Sequence, residues 1–599
     1  MSCFEEQHHC AFTHLKCHVP ISASETRISG VPQVPLDFFH RSLLPSITDW
    51  VAPVEELLAQ AGHIVAGRWN LQSPHPSSSR VACSGELEAE IVHIFDKIVG
   101  AGEEVSQRPS NAPLLIGLPI QAAPTQLPSC DAEIRVITRS PAFTTPYATA
   151  VPWRLKSMRR ALESNEREII WSCQDVLRED PCRRFSFGVT VDGLQLRIWF
   201  FSRSHELVSS PFDAISDVSD MIRLVLSLAF ATPEQLGYDT TMSHFTDETG
   251  SPQIRLKVAE TFYVTKKLLS DNHSDSICGR TTRVWEAYRE DDPNQISVAV
   301  KDLWTTADAI QEGVQLMELR DKLHALPDSE VTNPEVYFLT VLDHGFVRTS
   351  DGADDHTLTV MARGSLPPLF TPKCPRKHYR IVFKEVGTPI HRLQSLSEVM
   401  RALADATQAL RFLFRLGLVH RDVSAGNILL VDGLGKLSDL EFARPFKGCL
   451  SQEPGDHCIG TANYTAGEAA AGLYSYVLDA CKPIGARRST EKPAFRFNPF
   501  HDVESTLWIG IWVILYHRRD DAEFKELFDR YFPSQFSDIT LEHRMLAISC
   551  GFLSLEESDA FCPAMDILHD ARRQLYKQYT AFEGDLAKEI ALLDEEAPS

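Results

Sequence analysis

Asp422, Asn427 and Asp439 are three oxygen-bearing side chains within LVHRDVSAGNILLVDGLGKLSDLEF (418 to 442), a span otherwise rich in Leu, Ile and Val. Asn427 and Asp439 lie 12 residues apart, with Gly433 of the turn-forming pair Asp432-Gly433 at their midpoint. If NILLV and GKLSD pair as a hairpin about that point, its open ends bring Asn427 and Asp439 side by side, and Asp422 sits on the loop just before them. Magnesium takes hard oxygen ligands and keeps waters and substrate phosphates in its other positions, so one carboxylate plus one amide suits a nucleotide-bound ion. Asp422 would then take a proton from an incoming hydroxyl. This is phosphoryl-transfer geometry. The plain alternative is that the three groups are the polar ends of two buried strands.

His420-Arg421-Asp422 followed by Asn427 resembles the catalytic loop of protein kinases, and Asp439-Leu440-Glu441 stands where those enzymes have Asp-Phe-Gly. More narrowly, the wording HRDVSAGNILL…SDLEFA resembles the fungal-type protein kinase family. The resemblance implies ATP and Mg2+ as cofactors, Asn427 and Asp439 as metal ligands, Asp422 as catalytic base, and a protein as acceptor. It extends in order from about 278 to 512. Lys301 in ISVAVKDLW matches the strand lysine that holds the α and β phosphates, and Glu312 in DAIQEGVQLMELRDKL matches its helix partner, with Glu318 as the nearby rival. SICGRTTRVWEAY offers only Gly279 where the wider family has three phosphate-loop glycines, with Arg280 or Arg283 to add positive charge. YRIVFKEVGTPI is similar to the last N-lobe strand and hinge, so Glu385, Val386 and Gly387 should face adenine through backbone groups. GTANYTAGE is similar to the end of an activation segment, with Ala466-Gly467-Glu468 for Ala-Pro-Glu and Thr461 bonded to Asp422. Asp502 in HDVESTLWIGIW matches the helix aspartate that braces the catalytic loop.

Three positions depart from that pattern. Ser424 stands where Ser/Thr kinases carry a lysine, and Gly426 where tyrosine kinases carry an arginine, so a Ser/Thr acceptor is only the commoner choice; Arg444 is a candidate for the missing charge. Glu441 replaces a glycine whose freedom lets the preceding aspartate flip, and gives a D-x-E resembling choline and aminoglycoside kinases. A small-molecule phosphotransferase is therefore one alternative, and a pseudokinase scaffold is another. Arg421 is placed to read a phosphate on the activation segment, with Ser451 as a candidate acceptor.

The rest of the chain must position these groups. At 599 residues it is too long for one core and suggests about three or four units. The expected architecture is α+β: a bilobal kinase-like catalytic domain preceded by a smaller α/β domain. Residues 1–125, rich in Pro, Ser and His, are expected to be partly disordered; 126–250 form the α/β domain, 251–383 the N-lobe, 384–585 the C-lobe and 586–599 an acidic tail. RRFSFGVTVDGLQLRIWFFSRS alternates around Asp192-Gly193 as a hairpin does, and SEVMRALADATQALRFLFRLG puts Val399, Leu403, Ala406, Leu410 and Leu413 on one helical face behind a Ser395/Glu398 capping box. LRIWFFSRSHELVSSPFD and EQLGYD resemble the segment that precedes the catalytic domain in the fungal-type family. Asp131 with VPWRLK is faintly similar to a restriction-endonuclease-like core, but Arg154 takes the place of the metal-binding Glu, so a structural or regulatory role is expected instead.

The net charge of −22, with no basic stripe, argues against a nucleic-acid partner. The longest apolar run, LWIGIWVILY, is about half a membrane span, and the N-terminus lacks a signal peptide's pattern, so an intracellular protein, cytoplasmic or nuclear, with no membrane partner is expected. The 14 cysteines form no CxxC, and the N-terminal Cys and His residues have no zinc-finger spacing.

Overall fold

A computed structural model describes residues 27–28, 30–71, 84–111, 114–115, 132–137, 149–156, 162–247, 249–273, 280–326, 333–357, 375–446, 461–476, 495–533, 537–552 and 559–596. Gly279, Asp131, Ser451 and the N-terminal Cys/His cluster lie outside them. Helix and strand are both abundant, as the α+β expectation requires. The chain forms two compact units: one is Pro20–Ala309 with Asp343–Val382, the other Ile310–Leu342 with Phe383 onward.

The first unit holds two large sheets, beside a two-stranded one that pairs Ile64–Val65 with Arg68–Trp69. Its first sheet is mixed. It contains β1 (Val31–Val34), β2 (Ala132–Ile137), β3 (Thr149–Lys156), β4 (Phe185–Asp192), β5 (Gln195–Ser202) and β6 (Glu206–Ser209), ordered β1-β6-β5-β4-β3-β2. β3 and β4 are parallel, joined through helix α3 (Leu162–Glu179), and β4 and β5 form the hairpin read from the sequence, with Asp192 opposite Gln195 and Gly193 at φ 64°. Strand alternation explains why this hairpin is apolar almost throughout: Ile198 and Phe200 face one layer, while Trp199 and Phe201 face Ile169, Cys173 and Leu177 of α3. Gly188 is what lets α3 lie so close. A Cβ there would stand 2.8 Å from Cys173 Sγ and 2.9 Å from Ile169 Cδ1.

Helices α1 (Thr48–Gln60), α2 (Ser84–Ser106) and α4 (Val218–Ala229) cover the other face. In α2, Ile91, Ile94, Phe95, Ile98 and Ala101 recur every three or four residues and are buried. The expected separation of residues 1–125 therefore does not hold for the described part: β1, α1 and α2 belong to the same core as β4 and β5. Their apolar stripes are short and lie between Pro- and Ser-rich stretches, so they gain meaning only from partners far along the chain.

The second sheet orders β7 (Met242–Thr246), β8 (Pro252–Val258), β9 (Thr261–His273), β10 (Thr281–Arg289) and β11 (Val298–Thr306), then β13 (Arg376–Phe383) and β12 (Val341–Phe346). Trp285, Ala287, Val298, Val300 and Val382 of this sheet join the same apolar cluster as Phe95, Trp153 and Val189. The seam expected near 250 is thus filled by one continuous core.

The second unit is mainly helical. Helix α5 (Glu312–His324) is followed by α6 (Leu396–Arg415), which begins at Ser395, whose Oγ accepts from Glu398 N at 3.4 Å, and buries Val399, Leu403, Ala406, Leu410 and Leu413 as the spacing predicts. The hairpin of β14 (Ile428–Val431) and β15 (Leu434–Leu437) lies against α6. LWIGIWVILY falls in α7 (Pro499–His517), buried along its length among α8 (Ala522–Tyr531), α9 (Asp538–Cys550) and α10 (Cys562–Glu596). Its hydrophobicity is that of a central core helix; no helix among the described residues is long and apolar enough to cross a membrane.

Candidate active site

The hairpin β14–β15 pairs Ile428 with Leu437 and Val431 with Leu434, leaving Asp432 and Gly433 as a two-residue turn with φ 49° and 81°. Positive φ at both positions is the primed turn that matches strand twist. Its axis runs between these residues rather than through Gly433, so Asn427 faces Ser438, whose N and Oγ donate to Asn427 O at 2.9 and 3.0 Å. Asp439 is therefore one residue beyond the register expected for it. It adopts φ 65°, ψ 60°, a left-handed conformation that aspartate tolerates better than most side chains.

Asp422 is fixed from two directions. Its Oδ1 accepts from Thr461 N and Thr461 Oγ1, both at 2.9 Å, and its backbone O accepts from Asn427 Nδ2 at 2.8 Å. Asn427 Nδ2 also lies 3.4 Å from Asp422 Oδ2. Behind the loop, Asp502 at the start of α7 accepts from His420 N at 2.7 Å and Arg421 N at 2.8 Å, as the helix aspartate of the resemblance would. Arg421 has φ 74°, rare for a long side chain, and this pair of buried bonds holds it there. The His420 ring is fully buried against Ser438 O at 3.0 Å, tying the loop to the strand that leads to Asp439.

With its nitrogen turned to Asp422, Asn427 presents its amide oxygen as the remaining donor atom. That oxygen and the Asp439 carboxylate are the hard donor set that Mg2+ prefers, so the residues fit the ion. After Asp439 the chain makes a 3-10 turn over Leu440–Phe442, against which α5 packs, and Glu441 is buried in it. Glu312 and Glu318 separate clearly: Glu312 is buried at the first turn of α5, whereas Glu318 is exposed and pairs with Lys322 at 3.6 Å. Arg444 donates to the carbonyls of Glu441 and Ala443 at 3.2 and 2.9 Å, within its own turn.

The hinge expected at 385–387 is pinned by a side chain. Glu385 accepts from Thr340 N and Oγ1, each at 2.8 Å, and pairs with Lys436 at 3.4 Å. A Cβ on Gly387 would meet Leu429 Cβ at 2.7 Å, so this stretch can lie on β14 only with glycine there. Val386 follows Glu385 directly as the middle residue of the segment.

Lys301 belongs to the other unit. It is buried on β11 opposite Val284 of β10. Arg283, considered as a phosphate-loop charge, is committed elsewhere: its side chain is buried, pairs with Asp271 at 3.0 Å and also donates to Arg178 O.

Residues 144–514 match the sequence profile of a family described as fungal protein kinase. The chain belongs to that family. A dual serine/threonine and tyrosine protein kinase of Strongylocentrotus purpuratus is 32% identical over 97 residues, 16% of this chain and 10% of that protein, so the chain spans about a tenth of this relative's length. The solved structure of vaccinia related kinase 3 aligns at 13% identity and a TM-score of 0.30, over 58% of this chain and 91% of that one.

In this fungal protein kinase the stretch 461–468, read from the sequence as similar to the end of an activation segment, is anchored by residues that no motif announced. Glu504, one turn into α7, accepts from Gly467 N and Trp508 Nε1, each at 2.9 Å, and from Tyr579 Oη at 2.7 Å. Arg544 of α9, fully buried, donates to the carbonyls of Asn463 at 2.6 Å, Ala462 and Thr465 at 3.3 Å, and Tyr531 at 3.0 Å. Glu504 lies in a helix that is otherwise apolar from Leu507 onward, and that contrast was the available signal for it; Arg544 shares α9 with Asp538 and Glu542 and carried none.

Glu468 completes the anchor, accepting from Ser475 N at 2.5 Å beside His501 at 3.3 Å. Burial, with the negative charge of Glu504 adding to it, pushes the Glu468 carboxyl up to about 7. A carboxyl whose folded value is raised favours the folded state when protonated. Its contribution is complete below the ordinary glutamate range and is lost as pH rises through about 7. The melting temperature should therefore fall between about pH 5 and pH 8, and Glu468→Gln should flatten that slope. Parallel slopes in calorimetric scans of the two proteins would contradict this.

Proposed function

We propose that this chain is an ATP-dependent protein kinase that transfers the γ-phosphate to a protein hydroxyl, with Ser or Thr as the acceptor. Its catalytic domain is bilobal, and the α/β segment that precedes it shares the interior of the kinase sheet. The observation that carries the reading is the fixed Asp422. Thr461 occupies its Oδ1 with two donors, which leaves Oδ2 to take the proton of the acceptor hydroxyl. Mg2+ bound with the nucleotide supplies charge neutralisation on the phosphates, and Asn427 and Asp439 are the residues that hold it. Lys301, with Glu312 as its partner, holds the α and β phosphates. The backbone of Glu385, Val386 and Gly387 receives adenine, and Gly279 lies in the phosphate loop. Catalysis is then positioning and charge neutralisation rather than covalent chemistry.

A second reading, a phosphotransferase for choline- or aminoglycoside-like acceptors, draws on Glu441 in its D-x-E setting. The anchored segment end at Thr461, Gly467 and Glu468 favours a protein acceptor, because a docking platform is of use only to a large substrate. Nucleic acid and membranes are not among the partners proposed, and the location proposed is intracellular, cytoplasmic or nuclear.

The deciding measurement is transfer of labelled γ-phosphate from MgATP to the protein itself and to generic Ser, Thr and Tyr acceptors, with identification of the modified amino acid. Label on Ser or Thr supports the proposal. Transfer only to small amino-alcohol acceptors would replace it, and ATP binding without transfer to any acceptor would leave a scaffold.

A further inference from the structure

Six ionisable side chains of the first unit, Arg184, Asp239, Asp302, Asp355, His378 and Arg380, form one network, each at 7% exposure or less. Arg184 grips Asp355 with two bonds, Nε to Oδ2 at 2.9 Å and Nη2 to Oδ1 at 2.5 Å. The His378 ring joins Asp355 through Nδ1 at 3.2 Å to Asp302 through Nε2 at 2.7 Å. Arg380 Nε donates to Asp302 at 2.6 Å, and its other nitrogens reach Asp239, Thr241 Oγ1 and Lys257 O. Trp304 stacks on His378 at 4.5 Å.

The position of Asp302 gives this network its meaning. It follows Lys301 on β11, so its side chain leaves the sheet on the face opposite the lysine, as does that of Trp304. Two residues of the network come from the segment before the second sheet. Arg184 enters β4 and Asp239 follows α4, and the backbone ties their neighbourhoods together: Arg184 N donates to Gly237 O at 2.8 Å and Asp239 N to Cys182 O at 2.7 Å. A further buried pair, Asp180 with His244 at 2.8 Å, links the same segment to β7.

We propose that the segment preceding the kinase sheet is a brace for the strand that carries Lys301, with Arg184 and Asp239 as positioning residues for nucleotide binding. The proposal rests on Lys301 holding the nucleotide phosphates. Within the buried six, three carboxylates face two guanidiniums and the imidazole, and at the edge Glu234 lies 3.8 Å from Arg184 as a fourth carboxylate. Burial opposes protonation of His378, but Asp302 and Asp355 outweigh it, with Arg380 opposing and Asp239 3.8 Å away, and hold the ring at about 9. At neutral pH the imidazolium therefore balances the third carboxylate of the buried six. Charges satisfied in this way are costly to break singly, because each loss strands a buried partner. A brace of this kind resists small shifts of β11, and shifts of about 1 Å are enough to cost a positioned group its effect.

The test uses the full chain and the variants Arg184→Gln and Arg184→Lys, with three readouts: KM for ATP, kcat, and amide hydrogen exchange. Arg184→Gln should raise KM for ATP about tenfold or more with a smaller change in kcat, and should speed exchange in 298–306 while leaving 396–415 unchanged. Arg184→Lys, which keeps the charge and one of the two bonds, should recover most of the loss. A folded Arg184→Gln protein with wild-type KM and wild-type exchange in 298–306 would overturn the proposal. If that variant does not fold, Asp239→Asn, which keeps the volume but removes the charge that faces Arg380, takes its place: wild-type values in both readouts overturn the brace, and a raised KM with faster exchange in 298–306 supports it. Wild-type protein that neither binds MgATP nor transfers phosphate refutes the kinase reading instead, and exchange in 298–306 still reports on the brace.

Discussion

Asp422→Asn should lower phosphotransfer by about 10²- to 10⁴-fold, the usual contribution of a positioned general base, while MgATP affinity stays within about twofold. The amide keeps an oxygen for the two Thr461 donors and fills the same volume, and the 2.8 Å bond from Asn427 Nδ2 to the backbone O of residue 422 remains, so only the 3.4 Å contact of Asn427 Nδ2 with Oδ2 is given up. What it loses is the second carboxylate oxygen, since an amide nitrogen donates where the carboxylate accepted. Single-turnover transfer with saturating MgATP, set beside nucleotide affinity by calorimetry, separates the two quantities. Full transfer by the variant would remove Asp422 from the reaction and with it the observation on which the functional reading rests. Loss of ATP binding in parallel would make the residue structural.

Asp502→Ala should cost about 3 kcal/mol or more of stability, and transfer should fall by about 100-fold even where the protein is fully folded. The carboxylate is buried, and burial raises its pKa against the bonds from His420 and Arg421 that favour the charged form. Alanine orphans both N–H groups at once and removes the two bonds that hold Arg421 in its left-handed conformation. Urea unfolding measures the first effect, and the ratio of kcat for variant and wild type measures the second. A variant with wild-type stability would mean that water takes over both donors, and one with wild-type kcat would mean that Arg421 holds its geometry without help.

The parts of this structure that were legible in the sequence are those encoded at short range. The catalytic loop, the two-residue turn at Asp432-Gly433, the capped apolar face of 396–415 and the hairpin around Gly193 each depend on residues within about a helix or hairpin of one another. Even there a single step in turn geometry changed the partner of Asn427 from Asp439 to Ser438. The features that were not legible join positions far apart. Arg184 meets Asp355 across 171 residues and Arg380 meets Asp239 across 141, and no local period links such charges. Arg544 was hidden for a related reason: an arginine in a helix reads as a solvated surface charge until the carbonyls it serves are in place. The apolar stripes of 31–106 likewise acquired a partner only with the sheet at 185–202.

The continuous core across residue 250 bears on descent as well as on folding. Recombination that carries a catalytic module from one gene to another succeeds when the module can be lifted away without baring its interior. Here Trp285, Val300 and Val382 share their interior with Phe95, Trp153 and Val189, so a cut at that point would expose both halves at once. Lineages of this chain are accordingly expected to gain or lose the two regions together.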